Sequence, residues 1–210
     1  MSALRHPLLA PIIVIAWLAA TAFVPDVRLG IAIVGIGGGA IVLALEAGFF
    51  RRMLTPSIKL VGIGLTAAVV MIVATYGLYP IVAHAIPGVA LSTHELYANK
   101  LRIPHPNAMV LLVTGLIVIG EELLWRGVVQ EAVQSVPVWG RRGGLLSVPV
   151  SAVIYGLSHI LIGSTLLTIV AVICGLFWST IRLRTHSLLP ALIAHLIWDM
   201  TILTHPLVGH

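Results

Sequence analysis

Six of the ionisable side chains inside the long apolar stretches of the second half of the sequence are candidates for a shared chemical task. They are Glu121, Glu122, Arg126, His159, His195 and Asp199. A charged side chain at the centre of a bilayer costs about 2.5 to 3.5 kcal/mol on insertion scales, so each one needs a partner or a task. A carboxylate with two imidazoles can activate water, because the acid removes a proton while the imidazoles position the water, bind a metal or stabilise an oxyanion. We therefore expect the six to converge on one polar cavity, with hydrolysis as the leading chemistry.

The spacing of these residues predicts different surroundings for each. Glu122 and Arg126 are four residues apart with the acid first, which suits an ion pair along one helix face. Glu121 points about 100° away from Glu122 on an α-helix, so its carboxylate must meet another helix or water. His195 and Asp199 are also four residues apart, so that this carboxylate can hold the imidazole. Each pair also has a purely structural interpretation, as part of a buried hydrogen-bonded network.

The composition places these residues in a membrane protein. Of the 210 residues, 59% are hydrophobic and only 9% are charged, whereas a soluble domain has about 25% charged residues. Seven apolar windows are long enough for transmembrane helices; they cover residues 8–24, 29–50, 58–86, 108–136, 146–162, 164–181 and 187–204. We predict an all-α, polytopic membrane bundle of about seven transmembrane helices (six to eight). Residues 1–210 would form a single integral membrane domain, with 108–204 as its motif-bearing catalytic half.

The charged loops predict the orientation. One set of helix ends carries eight Lys and Arg residues and the opposite set carries three, and the richer set is expected in the cytoplasm. This puts the N-terminus inside and, with seven spans, the C-terminus outside. The first apolar window is expected to stay in place, although Ala20-Thr21-Ala22 is similar to a signal-peptide cleavage site. We expect a multi-pass protein of the plasma or inner membrane, if the source is prokaryotic, and no nucleic-acid partner, because the charges form no single basic face.

The order of the motifs resembles one protein family. Glu-Glu-xxx-Arg at 121–126, aromatic-xxx-His at 155–159 and His-xxx-Asp at 195–199 each lie on their own predicted transmembrane helix. This order is similar to that of the CPBP family of intramembrane proteases, also called Abi or CAAX-protease-like, which includes the type II CAAX prenyl endopeptidases. The resemblance covers about residues 119–199, and the first three predicted helices carry no such motif.

The resemblance implies a role for each residue of the site. Glu121 would be the general base, and His159 would be its partner in holding the attacking water. Glu122 and Arg126 would support the site. His195, with the residue at position 199, would stabilise the tetrahedral intermediate.

Two positions depart from the family pattern. Tyr155 stands where phenylalanine is frequent, which adds a hydroxyl group to the cavity. Asp199 stands where the prenyl endopeptidases have asparagine, although aspartate also occurs in the wider family. Because an ionised aspartate cannot donate a hydrogen bond to an oxyanion, Asp199 is either protonated in this site or orients His195, which then donates, and we expect the second.

The resemblance leaves the cofactor open. The family is commonly grouped with metallopeptidases, and a metal-free glutamate mechanism has also been argued for it. Glu121, His159 and His195 could supply the three protein ligands of a catalytic zinc. The sequence has no His-Glu-xx-His spacing on one helix. The cofactor is therefore either a divalent metal such as zinc or none.

Three functions fit these features. The leading one is an intramembrane endopeptidase in the lipid bilayer that cleaves a membrane-associated protein or peptide, for example at a CAAX end, a leader peptide or a C-terminal sorting segment. A proton- or cation-coupled transporter could use the same acids and histidines, and would show ion flux without cleavage. A non-catalytic family member, acting in bacteriocin immunity or as a membrane scaffold, would tolerate Glu121→Gln.

Other features have ordinary expected places. The Gly35-xxx-Gly39 spacing predicts close helix packing in lipid. Glu46 is expected to reach the membrane interface by snorkelling, and Cys174 to fill apolar space. Residues 92–107 are expected to be a polar connection on the outer surface.

Overall fold

Nine helices make up the regular structure of the part of the chain that the computed structural model describes, namely His6, residues 8–100 and residues 107–207. They are α1 (Leu9–Phe23), α2 (Val27–Leu45), α3 (Ala47–Met53), α4 (Ile58–Ala85), α5 (Val89–Glu95), α6 (Ala108–Gln134), α7 (Gly143–Leu157), α8 (Thr165–Thr185) and α9 (Leu189–Thr204). No strand occurs in these ranges. The predicted all-α class is confirmed.

Five helical segments are long and apolar enough to cross a membrane. They are α2, α4, α6, α8 and the segment Gly143–Ile162, which contains α7 and the short turn after it. The apolar helices α1 and α9 have 15 and 16 residues, so each is about 23 Å long, somewhat less than the thickness of a bilayer core. Each predicted window overlaps one of these seven helices, and the chain is an integral, multi-pass membrane protein.

The second predicted window is interrupted at Glu46. The backbone of this residue leaves the helical region, with φ −115° and ψ 28°, so α2 ends at Leu45 and α3 begins at Ala47. Glu46 does not snorkel as expected, because its side chain is only 2% exposed. Its Oε1 accepts hydrogen bonds from the backbone N–H of His6 at 2.9 Å and from His6 Nδ1 at 3.0 Å. The N-terminal segment therefore satisfies this carboxylate inside the protein.

Residues 92–107 also differ from the expectation. The helix α5 extends through Glu95 and continues as a π-helical turn over Leu96–Lys100. Thr93 and Leu96 are buried, and they lie three residues apart, which places both on one helix face. This segment is therefore a packed helix as far as Lys100; residues 101–106 lie outside the described part of the chain.

Glycines bring α2 and α6 unusually close together. A Cβ atom at Gly120 would lie 1.9 Å from the carbonyl oxygen of Gly35, and a Cβ atom at Gly39 would lie 2.7 Å from the Cα atom of Gly120. Only glycine permits such an approach between two helix backbones. The packing predicted for Gly35-xxx-Gly39 is confirmed, and this crossing fixes α6 immediately before Glu121.

Capping residues begin two of the helices around the site. The Asn107 side chain accepts hydrogen bonds from two backbone N–H groups in the first turn of α6. Ser164 does the same for α8, where it accepts from the N–H of Leu167 at 3.2 Å. Between α7 and α8, Gly163 has a φ of 76°, a left-handed conformation that glycine adopts without strain. The chain therefore reverses at Gly163, where the sequence also placed a break.

Candidate active site

The two adjacent glutamates lie where α6 changes its geometry. Glu121 ends the α-helical part of α6, and Glu122 begins a π-helical stretch that ends at Val129. Such stretches are uncommon and are often found at functional sites. Both carboxylates are buried, with 6% exposure for Glu121 and 1% for Glu122. The change in helix type directs them to different partners.

Glu121 faces α7 and α9. Its Oε2 accepts a hydrogen bond from the Tyr155 hydroxyl at 2.8 Å and lies 4.0 Å from His195 Nε2. In the described part of the chain, no hydrogen bond engages its other oxygen. Glu121 is thus a buried carboxylate with one oxygen available to a small polar ligand.

Glu122 is shared by a cation and an imidazole. Its Oε1 lies 3.2 Å from Arg126 Nη1, which is the ion pair that the spacing predicts. The same oxygen accepts a hydrogen bond from His195 Nδ1 at 2.8 Å. The carboxylate of Glu122 therefore holds the ring of His195 in place from another helix.

This arrangement changes the expected role of Asp199. The orienting hydrogen bond to His195 comes from Glu122, whereas Asp199 Oδ1 lies 3.5 Å from Nε2, on the other edge of the ring, as an ion-pair contact. The physical reason is that α6 packs beside α9, so a carboxylate from outside the helix reaches Nδ1. The Nε2 atom of His195 then faces both Asp199 and Glu121.

His159 is separated from the two glutamates by Tyr155. Its Nδ1 contacts the carbonyl oxygen of Tyr155 at 2.9 Å and Ser158 Oγ at 3.2 Å, and its ring packs edge-on against the Tyr155 ring. Among the described residues, no hydrogen bond or ion pair joins His159 to Glu121 or His195. Tyr155, which donates to Glu121, is therefore the link between His159 and the rest of the site.

Aromatic rings enclose the charged groups. The Trp178 ring stacks on His195, with ring centroids 3.7 Å apart and planes at 21°. The Arg126 guanidinium lies 4.3 Å from the centre of the Tyr155 ring and 4.9 Å from that of Trp178, and such contacts stabilise a buried cation. The sequence did not indicate Trp178, because one aromatic residue in an apolar helix has the same pattern as an ordinary core residue.

The site is most exposed at Asp199. The side chain of Asp199 is 26% exposed, whereas those of His195 and Glu121 are 3% and 8% exposed. Burial, together with the negative charge of Asp199, raises the pKa of Tyr97 in the helical turn after α5. The site is therefore most accessible from the side of Asp199.

The side chains that could bind a metal ion at this site are not arranged to do so in the structure. In the ranges 8–100 and 107–207, no three side chains of His, Cys, Asp or Glu are arranged to hold a metal ion. The candidate ligands Glu121, His159 and His195 would have to move, since among the described residues no hydrogen bond or ion pair brings His159 to Glu121 or His195. We therefore derive no step through a metal.

Fold and site together define a class of protein: a polytopic helical membrane protein with a buried cluster of acids, histidines and arginine that is suited to activating water. Residues 103–201 match the family model described as type II CAAX prenyl endopeptidase Rce1-like. This stretch contains all six site residues. The match covers slightly less than half of the chain and agrees, over this stretch, with the resemblance found from the motifs. No curated protein and no solved structure matches the chain.

Proposed function

We propose that the chain is an intramembrane endopeptidase that hydrolyses a peptide bond of a membrane-associated protein or peptide, with Glu121 as the general base. The observation that carries the proposal is the unequal use of two neighbouring carboxylates. Glu122 Oε1 is engaged by both Arg126 and His195, and Glu122 Oε2 is buried, whereas Glu121 accepts only from Tyr155 and is the more exposed of the two residues, at 6% against 1%. A general base must be able to reach a water proton, and Glu121 meets this requirement better.

Each step has an assigned group. Glu121 removes a proton from water while the water oxygen bonds to the carbonyl carbon, which gives a tetrahedral oxyanion. The imidazolium form of His195 donates from Nε2 to that oxyanion, and Glu122 holds the ring from Nδ1. The C–N bond then breaks, and the proton on Glu121 passes to the leaving amine. The carboxylate is restored and the two new chain ends are released.

The remaining residues support this chemistry. Arg126 balances the charge of Glu122, and Asp199 balances the imidazolium of His195 at the exposed edge of the site. His159, acting beside Tyr155, orients the attacking water. We propose residues 108–204 as the catalytic half of one membrane domain, with the N-terminus in the cytoplasm.

A cleavage assay in proteoliposomes tests the proposal. The probes are three internally quenched peptides: one that ends in a farnesylated cysteine motif, the same peptide without the lipid, and one transmembrane peptide. The wild-type protein should cleave at least one of them, while Glu121→Gln should fold with near-normal yield and cleave none. Glu95→Gln is the matched control, because Glu95 is exposed on α5. Full activity of Glu121→Gln would overturn the assignment, and ion flux without cleavage by the wild type would favour a transporter.

A further inference from the structure

Two rows of polar side chains run from the site toward one end of the bundle. The row on α6 continues the site residues Glu122 and Arg126 at the same four-residue spacing, with Gln130 and Gln134. The row on α7 approaches the site with Ser147, Ser151 and Tyr155, again four residues apart. Gln130 and Ser147 are 0% exposed, and Ser151 is 3% exposed. The two serine hydroxyls donate to backbone carbonyl oxygens of α7 itself, whereas the longer polar side chains of the α6 row are costly to bury in a membrane helix and call for an explanation.

The helix α8 joins the two rows. Ser179 Oγ lies 3.3 Å from Ser151 Oγ, and the carbonyl oxygen of Ser179 accepts a hydrogen bond from Gln130 Nε2 at 3.0 Å. At the site end, the Arg126 guanidinium lies over the Tyr155 ring. At the other end, Gln134 is partly exposed, where α6 stops. The polar groups thus extend from the site to a surface of the protein.

The row on α6 has polar atoms that the protein does not satisfy. Among the described residues, eight buried side-chain nitrogen and oxygen atoms lack a hydrogen-bond partner. Four of the eight belong to this row: Glu122 Oε2, both Nη atoms of Arg126, and Gln130 Oε1. Arg126 Nη1 is close to Glu122, but it is not aligned for a hydrogen bond. Buried polar atoms are almost always hydrogen-bonded, and where protein groups do not serve, water does.

We propose that this polar seam, formed by Glu122, Arg126, Gln130 and Gln134 of α6, Ser147 and Ser151 of α7, and Ser179 of α8, binds a file of water molecules that connects the site with the membrane surface at the end of α6. The inference rests on the proposed function, because each hydrolysis consumes one water molecule. A substrate that enters past Asp199 covers the exposed edge of the site. The seam supplies water from the opposite direction.

Infrared spectroscopy of a single thiol tests whether the seam is hydrated. The chain's one cysteine is first removed by Cys174→Ala, and a reporter is then introduced as Ser151→Cys. The matched control is Val128→Cys, because Val128 is 0% exposed and belongs to the apolar core of α6. After transfer to D₂O, the S–H band of the seam thiol should convert to S–D at least about tenfold faster than that of the control, since core groups exchange only by rare opening.

Equal exchange rates for the two thiols would overturn the proposal and leave the seam as a dry structural network. If Ser151→Cys does not fold, Ser147→Cys is the second reporter in the same row. A further variant, Gln130→Leu, should slow the exchange of the seam thiol and lower kcat with little change in KM. The exchange measurement needs no substrate, so it decides the hydration of the seam even if the protein cleaves nothing. A dry seam in an active wild type would refute the water file and leave the proposed protease intact.

Discussion

In the part of the bundle that the structure describes, two buried ion pairs each join a glutamate to an arginine, and they have different surroundings. Glu122 and Arg126 lie on one helix, and the carboxylate also accepts from His195 Nδ1. Glu131 of α6 pairs with Arg182 of α8, which also donates to a glutamine, so this second pair joins two helices. Both arginine side chains are only 1% exposed.

The pair of Glu122 and Arg126 also holds the ring of His195. The pair of Glu131 and Arg182 instead fixes α6 to α8. In the described residues, aromatic rings cover Arg126 but not Arg182. Arg182 is three residues from the end of α8, so its long side chain can extend toward the interface if its partner is lost. Arg126 lies deeper in the bundle and has no such route. The site pair should therefore be far less tolerant of change.

The largest effect is expected for Glu122→Gln. It leaves Arg126 as an unpaired buried cation and removes the anchor of His195, and breaking a buried pair costs about 3 to 5 kcal/mol. Melting temperature and folded yield in detergent measure this loss, with Glu121→Gln as the neighbouring control that should melt like the wild type. Equal melting temperatures for Glu122→Gln and the wild type would reverse the roles assigned to the two glutamates.

The next largest effect is a loss of cleavage rate on substitution of Asp199, at the exposed edge of the site. Asp199→Leu removes a carboxylate 3.5 Å from His195 Nε2, and by analogy with the loss of one oxyanion donor it should slow cleavage by about 10²- to 10³-fold. Asp199→Asn should keep much of the activity, because Glu122 still holds the ring of His195 and an amide can itself donate to an oxyanion. The cleavage rates of the two variants provide the measurement. If Asp199→Leu were as active as the wild type, Asp199 would have no part in the mechanism.

A smaller effect is expected for the second pair. Glu131→Gln leaves Arg182 with Gln134 as a remaining partner, so the free energy of unfolding should fall by about 1 to 3 kcal/mol, the cost of an unsatisfied buried group. The folded fraction should lose less activity than that of Glu122→Gln. Thermal unfolding and cleavage per folded molecule test this order. If Glu131→Gln lost more stability and activity than Glu122→Gln, the distinction between the two ion pairs would not hold.

The smallest effect is expected for Trp178→Phe. Phenylalanine keeps a ring against His195 and Arg126 but loses the indole N–H that donates to the Met71 sulfur at 3.1 Å. Aromatic pairs contribute about 0.5 to 1.5 kcal/mol beyond the buried area, so cleavage should fall only a few-fold. Trp198→Phe is a matched control on α9, since Trp198 does not stack on the imidazole. If Trp178→Phe cleaved the peptide as fast as Trp198→Phe, the stacking of Trp178 on His195 would play no part in catalysis.

The sequence was sufficient for the helices and for the proximity of five of the six polar residues, but not for the separate place of His159 or for how the others pair. Long apolar windows predict helices directly, because the bilayer sets their length. The bond between Glu122 and His195 could not be predicted, since it depends on the rotation and register of α6 against α9. The change to π-helix after Glu121 leaves no mark in the sequence, and the break at Glu46 reflects a tertiary contact with His6. The four-residue spacing favoured Asp199 as the partner of His195. The closer partner is Glu122, which lies on another helix.

The most direct test of the central claim is hydrolysis in ¹⁸O-labelled water by the wild type and by Glu121→Gln. Mass spectrometry of the cleaved peptide gives both the rate and the source of the new oxygen. The wild-type product should carry one solvent oxygen at its new C-terminus. Glu121→Gln, with an unchanged melting temperature, should form no labelled product above background. Labelled product from Glu121→Gln at the wild-type rate would contradict the assignment of Glu121 as the base that activates water.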